Sequence, residues 1–229
     1  MEAYKTEVFI ALFIILSTWI HLRVSRKKRQ LKFIQNYKIP KPIIDRFKEK
    51  YPKLSSEDAN LTSKALMDYF YICNMANGKM VSMPSRVVDD LWHEFLLFSK
   101  SYESFCNKAF GKLLHHVPEE AMPSKNSNNK GMKRAWNLIC VKEDIHPKYP
   151  NKMPLLFAID SILEIENGLK YSLNKMNSYS NNGAGCGGSG AGCGGFYVGD
   201  YADSSSGFGD SGGANCGGAS CGGGGCGGA

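Results

Sequence analysis

Between Val8 and Leu22 the chain reads VFIALFIILSTWIHL, with no ionisable side chain except His21 near its end. A run this apolar belongs in a bilayer or in a core. As a helix its length is about 22 Å, short of the roughly 30 Å hydrocarbon layer. Thr6 and Val24 can extend it, and Arg23 can snorkel, so a thin bilayer is within reach. Arg23, Arg26, Lys27, Lys28 and Arg29 follow directly, against Lys5 alone before the run. The asymmetry predicts a single pass through an inner or plasma membrane, amino terminus outside, with the remaining chain cytoplasmic. A cleaved leader would want a basic start and a small-x-small cleavage site, whereas Glu2, Lys5 and Glu7 precede this run and HLRVSRKKR ends it. An interfacial or buried helix is the other use of such a segment. The basic cluster serves topology and contact with anionic headgroups, so the bilayer is the expected partner and nucleic acid is not.

The formal charge of +7 is local. Residues 1–50 hold 12 Lys or Arg against 4 acidic residues, residues 51–182 hold 16 against 14, and residues 183–229 hold none against 3. Three segments follow: an anchor with its basic flank over 1–30, a helical domain over 31–182, and a tail over 183–229. Cys73, Cys106 and Cys140 lie singly in apolar surroundings, while Cys186, Cys193, Cys216, Cys221 and Cys226 crowd the tail. Neither arrangement is the even framework of a small secreted domain, and reduced thiols are expected.

Helical punctuation dominates the middle segment. A short amphipathic helix is predicted over Ile43–Tyr51, stopped by Pro52. Ser55 and Asp58 form a capping box ahead of Leu61, Ala65, Leu66, Tyr69, Ile72, Cys73 and Ala76, with Gly78 as the stop. Pro84, near a helix start, announces a central helix with Val88, Leu91, Trp92 and Phe95 on one stripe, and Ser101–Leu114 reads as a second helical piece. Pro118–Gly131 is polar and reads as a loop. Further helices are predicted over about Lys133–Glu143 and along the stripe Leu155, Leu156, Ile159, Ile162 and Leu163, the latter ended by Gly168. No segment alternates with period two, so the expectation is an all-α domain without strands, long enough to bury its own core.

Gly183–Ala229 is different in kind: 21 of its residues are glycine, and all five cysteines precede Gly-Gly. With few large apolar groups it cannot offset its ordering entropy, and disorder is expected. A solvated tail without a ligand is the plainest reading. Thiolates wrapping a soft metal, cyclisation of the cysteines to azoles, and association through the glycine-aromatic segment are the others.

Chemistry concentrates in PSRVVDDLWHEFLLFSKSYESFCNKAFGKLLHHVP, from Pro84 to Pro118. On a helical wheel His93 falls beside the core stripe, near Asp89, Arg86 and Leu97. Asp89, one turn earlier, can hydrogen-bond one ring nitrogen and leave the other to ligate or transfer a proton. Folding the following helix back would bring Cys106, His115 and His116 towards His93, a donor set that suits zinc. A different use is nucleophilic, with Cys106 activated by His93 or His115 and His93 oriented by Asp89. The plain reading makes Cys106 a core residue and the histidines hydrogen-bonding groups. Trp92, Tyr102, Phe105 and Phe110 have the spacing of core aromatics rather than of a base-stacking platform.

Trp92-His93, Tyr102, Cys106, Phe110-Gly111, Leu114 and His115 resemble the WHxH…Y…C…FG…L…H block of the glycine-rich-domain-containing proteins, known in plants and in bacteria. Phe95 stands where that pattern has its second histidine, which removes one donor unless His116 substitutes. The resemblance implies a shared helical module and a glycine-rich tail, and nucleic-acid binding is suggested for some plant members. Taken together, the sequence predicts a membrane-tethered binding or assembly module without catalysis and without an obligatory cofactor. The alternative is a metal- or thiol-binding protein using His93, Cys106, His115 and His116.

Overall fold

The computed structural model describes residues 2–117, 125–173 and 195–197. In chain order these form α1 (Glu2–Asn36), α2 (Lys41–Lys50), α3 (Ser56–Met75), β1 (Val81–Ser82), α4 (Arg86–Leu97), α5 (Ser99–Ala109), β2 (His115–Val117), α6 (Lys125–Lys142), α7 (Leu155–Ile162) and β3 (Gly195–Tyr197). The described chain is therefore mostly helical. Most of the tail, with its five cysteines and its expected disorder, lies outside the described residues; its described part, Gly195–Tyr197, forms β3.

Where local chemistry sets the boundary, element and sequence agree. Ser55 accepts from the Asp58 N–H at 3.1 Å while the Asp58 carboxylate accepts from the Ser55 N–H at 2.9 Å, closing the capping box of α3. Asn77 (φ 52°) and Gly78 (φ 87°) then take the left-handed backbone that ends it. The α4 stripe of Val88, Leu91, Trp92 and Phe95 is fully buried. Its rings meet those of α3 and α5: Phe70 lies 5.6 Å from Trp92 and 5.0 Å from Phe105, centroid to centroid. Cys73, Cys106 and Cys140 are free thiols inside this core.

α4 begins at Arg86, just after Pro84 as expected, with Ser85 as its N-cap accepting from the Val88 N–H at 3.2 Å. Other boundaries moved for tertiary reasons. The second helical piece ends at Ala109, not Leu114, with Gly111 (φ 79°) beyond it. α6 begins at Lys125, inside the stretch read as a loop, and Gly131 is the reason it packs closely. A Cβ there would sit 2.3 Å from Ser82 Oγ, and the Ser82 hydroxyl donates to the Asn128 carbonyl at 3.0 Å. α7 ends at Ile162, and Gly168 lies beyond it in a turn, donating from its N–H to the Ile165 carbonyl at 3.0 Å.

Strands are present, against expectation. β3 lies between β1 and β2, antiparallel to both, pairing Val81 with Phe196, and His115, His116 and Val117 with Tyr197, Phe196 and Gly195. Strands of two or three residues leave no periodicity to read, and this pairing joins segments about 80 residues apart in the chain.

The longest element is α1. From Val8 through Leu22 its large apolar side chains are exposed, Phe9 and Phe13 above 70%. Yet the same helix, without a break, ends in the core. Ile34 is fully buried, Phe33 faces Phe105 with ring centroids 5.9 Å apart, the Lys27 ammonium donates to the Asn74 carbonyl, and Asn74 Nδ2 reaches Gln30 Oε1 at 3.4 Å.

Candidate functional site

The most chemically loaded surface of the domain is built from α4 and β2, and several elements hold α4 in place. At its amino end the buried Asp160 of α7 accepts from the Ser85 hydroxyl at 2.6 Å and from the backbone N–H of Arg86 at 2.8 Å and Val87 at 3.3 Å. It also accepts from the Leu169 N–H at 2.8 Å. A carboxylate at this position satisfies orphan donors of the first turn and complements the helix dipole. Along one flank α2 is pinned to α4: Asp90 accepts from Lys50 at 2.5 Å and from the Tyr51 hydroxyl, and Arg46 pairs with Glu94 at 3.0 Å. Burial, reinforced by the bond to Asp90, pushes the Tyr51 phenol well above its ordinary range.

The opposite flank carries Asp89 and His93, one turn apart and so on one face. Across from them β2 alternates. Leu114, just before it, is buried, His115 is exposed and His116 turns inward, its side chain only 8% exposed. Tyr102 fixes the approach of this strand, since its hydroxyl donates to the Leu114 carbonyl at 2.5 Å and accepts from Trp92 Nε1 at 3.2 Å. The His116 ring packs edge-on to Trp92 at 4.6 Å and to His93 at 4.5 Å. His116 Nε2 hydrogen-bonds Asp89 Oδ1 at 3.0 Å. His93 Nδ1 stands 3.9 Å from Asp89 Oδ2, too far for a hydrogen bond, and its side chain is 46% exposed. One donor atom from each of the three residues lies within 4.8 Å of the others.

Of the four residues singled out in sequence as ligands, the structure brings His93 and His116 together and adds Asp89. His115 points from the other face of β2. Cys106 is fully buried on α5 and outside this cluster. Burial pushes its thiol up to about 11, although hydrogen bonding to the Leu114 backbone and Tyr102 pulls the other way. A nucleophilic cysteine needs the reverse shift. The expectation that Asp89 pairs with His93 is met by proximity only, because its hydrogen bond goes to His116.

Asp160 escaped the sequence reading. It sits between apolar residues of α7, and no local spacing distinguishes a buried carboxylate that caps a distant helix from a solvated one. The set Asp89 and His93 was legible from its four-residue spacing. His116 could not be chosen over His115 without knowing that the segment is a strand.

Fold and site define a mostly helical protein with one amino-terminal helix long and apolar enough to cross a membrane, and with a histidine-carboxylate cluster on its domain. It belongs to the UCP032817-like family, whose model matches residues 29–194. That range takes in the cluster and the last turns of α1, and leaves out the apolar run. No curated protein and no solved structure matches the chain.

Proposed function

We propose that this chain is a single-pass membrane protein, amino terminus outside, that holds a helical binding or assembly module against the cytoplasmic face of an inner or plasma membrane. The observation that carries the reading is the continuity of α1. Its exposed apolar segment passes with no loop between into a segment that packs on the domain through Phe33 and the buried Ile34, and Lys27, bonded to the Asn74 carbonyl of α3, lies about 7–8 Å along the axis from Leu22. A module joined in this way stands at the headgroups in a fixed orientation, rather than swinging on a linker. Arg26, Lys28 and Arg29 share that level, and a hollow lined by Arg29, Lys32, Phe33, Asn36, Tyr37 and Lys38 continues the basic surface. A cleaved leader fits poorly with a helix whose far end is part of the core.

Anchoring of this kind raises the local concentration of whatever the module meets at the surface, which is the use of a recruitment or assembly protein, with a protein as the partner. Kinship with the glycine-rich-domain-containing proteins is part of the proposal and is carried by the block from Trp92 to His115, which spans the second half of α4, all of α5 and the start of β2. The thiol half of the alternative reading gains nothing from Cys73, Cys106 and Cys140, all buried with thiols raised by desolvation.

Membrane partition tests the anchor. The full chain is expected to stay in the pellet through an alkaline carbonate wash. The Ile14→Arg/Ile15→Arg variant, at about 2.5–3.5 kcal/mol per central charge, is expected to leave it. Equal partition of the unaltered chain into the soluble fraction would sink the proposal.

A further inference from the structure

We propose that Asp89, His93 and His116 bind one divalent transition-metal ion of the zinc class. The site lies on the domain, and the inference is independent of whether α1 crosses a bilayer. A four-coordinate ion with ligand bonds of about 2.0–2.2 Å sets its donors roughly 3.4 Å apart. The two carboxylate oxygens reach one imidazole each, Asp89 Oδ1 at 3.0 Å from His116 Nε2 and Asp89 Oδ2 at 3.9 Å from His93 Nδ1, on either side of that value, and a single donor atom from each of the three residues lies within 4.8 Å of the others. Two of the ligands are preorganised: Asp89 by the pinned first turns of α4, and His116 by its packing against Trp92. The third, His93, is half-exposed and closes on the ion by a small rotation about its side-chain torsions.

The donor types select the ion. Two imidazoles and one carboxylate suit zinc, iron, cobalt, nickel or copper, whereas calcium and magnesium want a shell of oxygens. When Nε2 of His116 turns its lone pair to the metal, the ring keeps its proton on Nδ1, and the hydrogen bond to Asp89 gives way to shared ligation. Three protein ligands leave a coordination position on the solvent side of His93 for water or a small anionic or carbonyl ligand, unlike the closed shell of a structural zinc site.

The test uses the full chain in detergent micelles with Cys186, Cys193, Cys216, Cys221 and Cys226 replaced by serine, so that tail thiols do not compete. After stripping with a chelator, the protein is titrated calorimetrically with zinc ion, and with cobalt ion for its absorption spectrum. The expected result is one equivalent of each, with cobalt d–d bands and no thiolate-to-cobalt charge transfer. His93→Ala removes a half-exposed side chain and spares the core; it and Asp89→Asn should each weaken binding by at least about 100-fold. His115→Ala, on the same strand but the other face, should stay within about threefold of the parent. His116→Gln, judged beside its melting curve because it touches Trp92, should match Asp89→Asn. Absence of saturable binding, a thiolate band, or a loss at His115→Ala equal to that at His93→Ala would overturn the assignment.

Discussion

Replacing Asp160 by alanine removes the acceptor of four donors at once: the Ser85 hydroxyl and the backbone N–H groups of Arg86, Val87 and Leu169. Hydrogen bonds to a charged group contribute roughly 1.5–3 kcal/mol each, and a buried donor left unsatisfied costs about 1–3 kcal/mol. Water entering the vacated space recovers part of that, and the 3.3 Å contact with Val87 is the weakest of the four, so the net loss is set at about 4 kcal/mol. For a chain of this size each kcal/mol lowers the melting temperature by about 2–4 °C, giving a fall of about 8–16 °C. The assay is a near-ultraviolet circular dichroism melt of the full chain in detergent, which follows packing around Trp92 and Trp136. Asp160→Asn keeps one acceptor and sets an amide N–H group against two backbone donors, and it should fall between alanine and the parent. A melting temperature for Asp160→Ala within about 3 °C of the parent would refute the role given to this carboxylate.

Two further outcomes follow from the same packing. Gly131→Ala should cost about 1–2 kcal/mol, read as a lower melting temperature, because its Cβ would meet Ser82 Oγ at 2.3 Å and the Ser82 backbone nitrogen at 3.0 Å, outweighing alanine's better helix propensity. Burial pushes the Cys106 thiol up to about 11 and that of Cys140 up to about 12, the latter helped by the nearby Glu143 carboxylate. The folded state then keeps protons that the unfolded thiols release near their ordinary value of 9.0, so stability should decline as pH rises from about 9 towards 11–12. Urea melts at pH 8 and pH 10, with Cys106→Ala/Cys140→Ala reducing the difference, check this; an unchanged midpoint between those pH values would contradict it.

What the sequence made legible was set by local rules. The capping box at Ser55 and Asp58, the buried stripe of α4 and the four-residue step from Asp89 to His93 depend on neighbours within one or two turns. What it concealed depends on distant partners. His115 and His116 are adjacent and chemically alike, and only pairing with β3 shows that one faces Asp89 and the other solvent. Cys106 looked available beside two histidines, but α5 turns it into the core, where Tyr102 and Leu114 surround its sulfur. The start of α6 was obscured by polar residues, whose helix forms because Gly131 lets it lie against β1.

In the proposed topology α1 carries one end of the chain across a bilayer and delivers the other, folded, to the opposite surface. Sided thiol labelling tests it most directly. Lys5→Cys and Lys64→Cys, placed singly in the full chain with the five tail cysteines changed to serine, are exposed to a membrane-impermeant maleimide in intact cells and again after permeabilisation. Lys5→Cys is expected to be labelled in intact cells and Lys64→Cys only after permeabilisation, while buried Cys73, Cys106 and Cys140 give a low background. Labelling of both positions from the same side would contradict it.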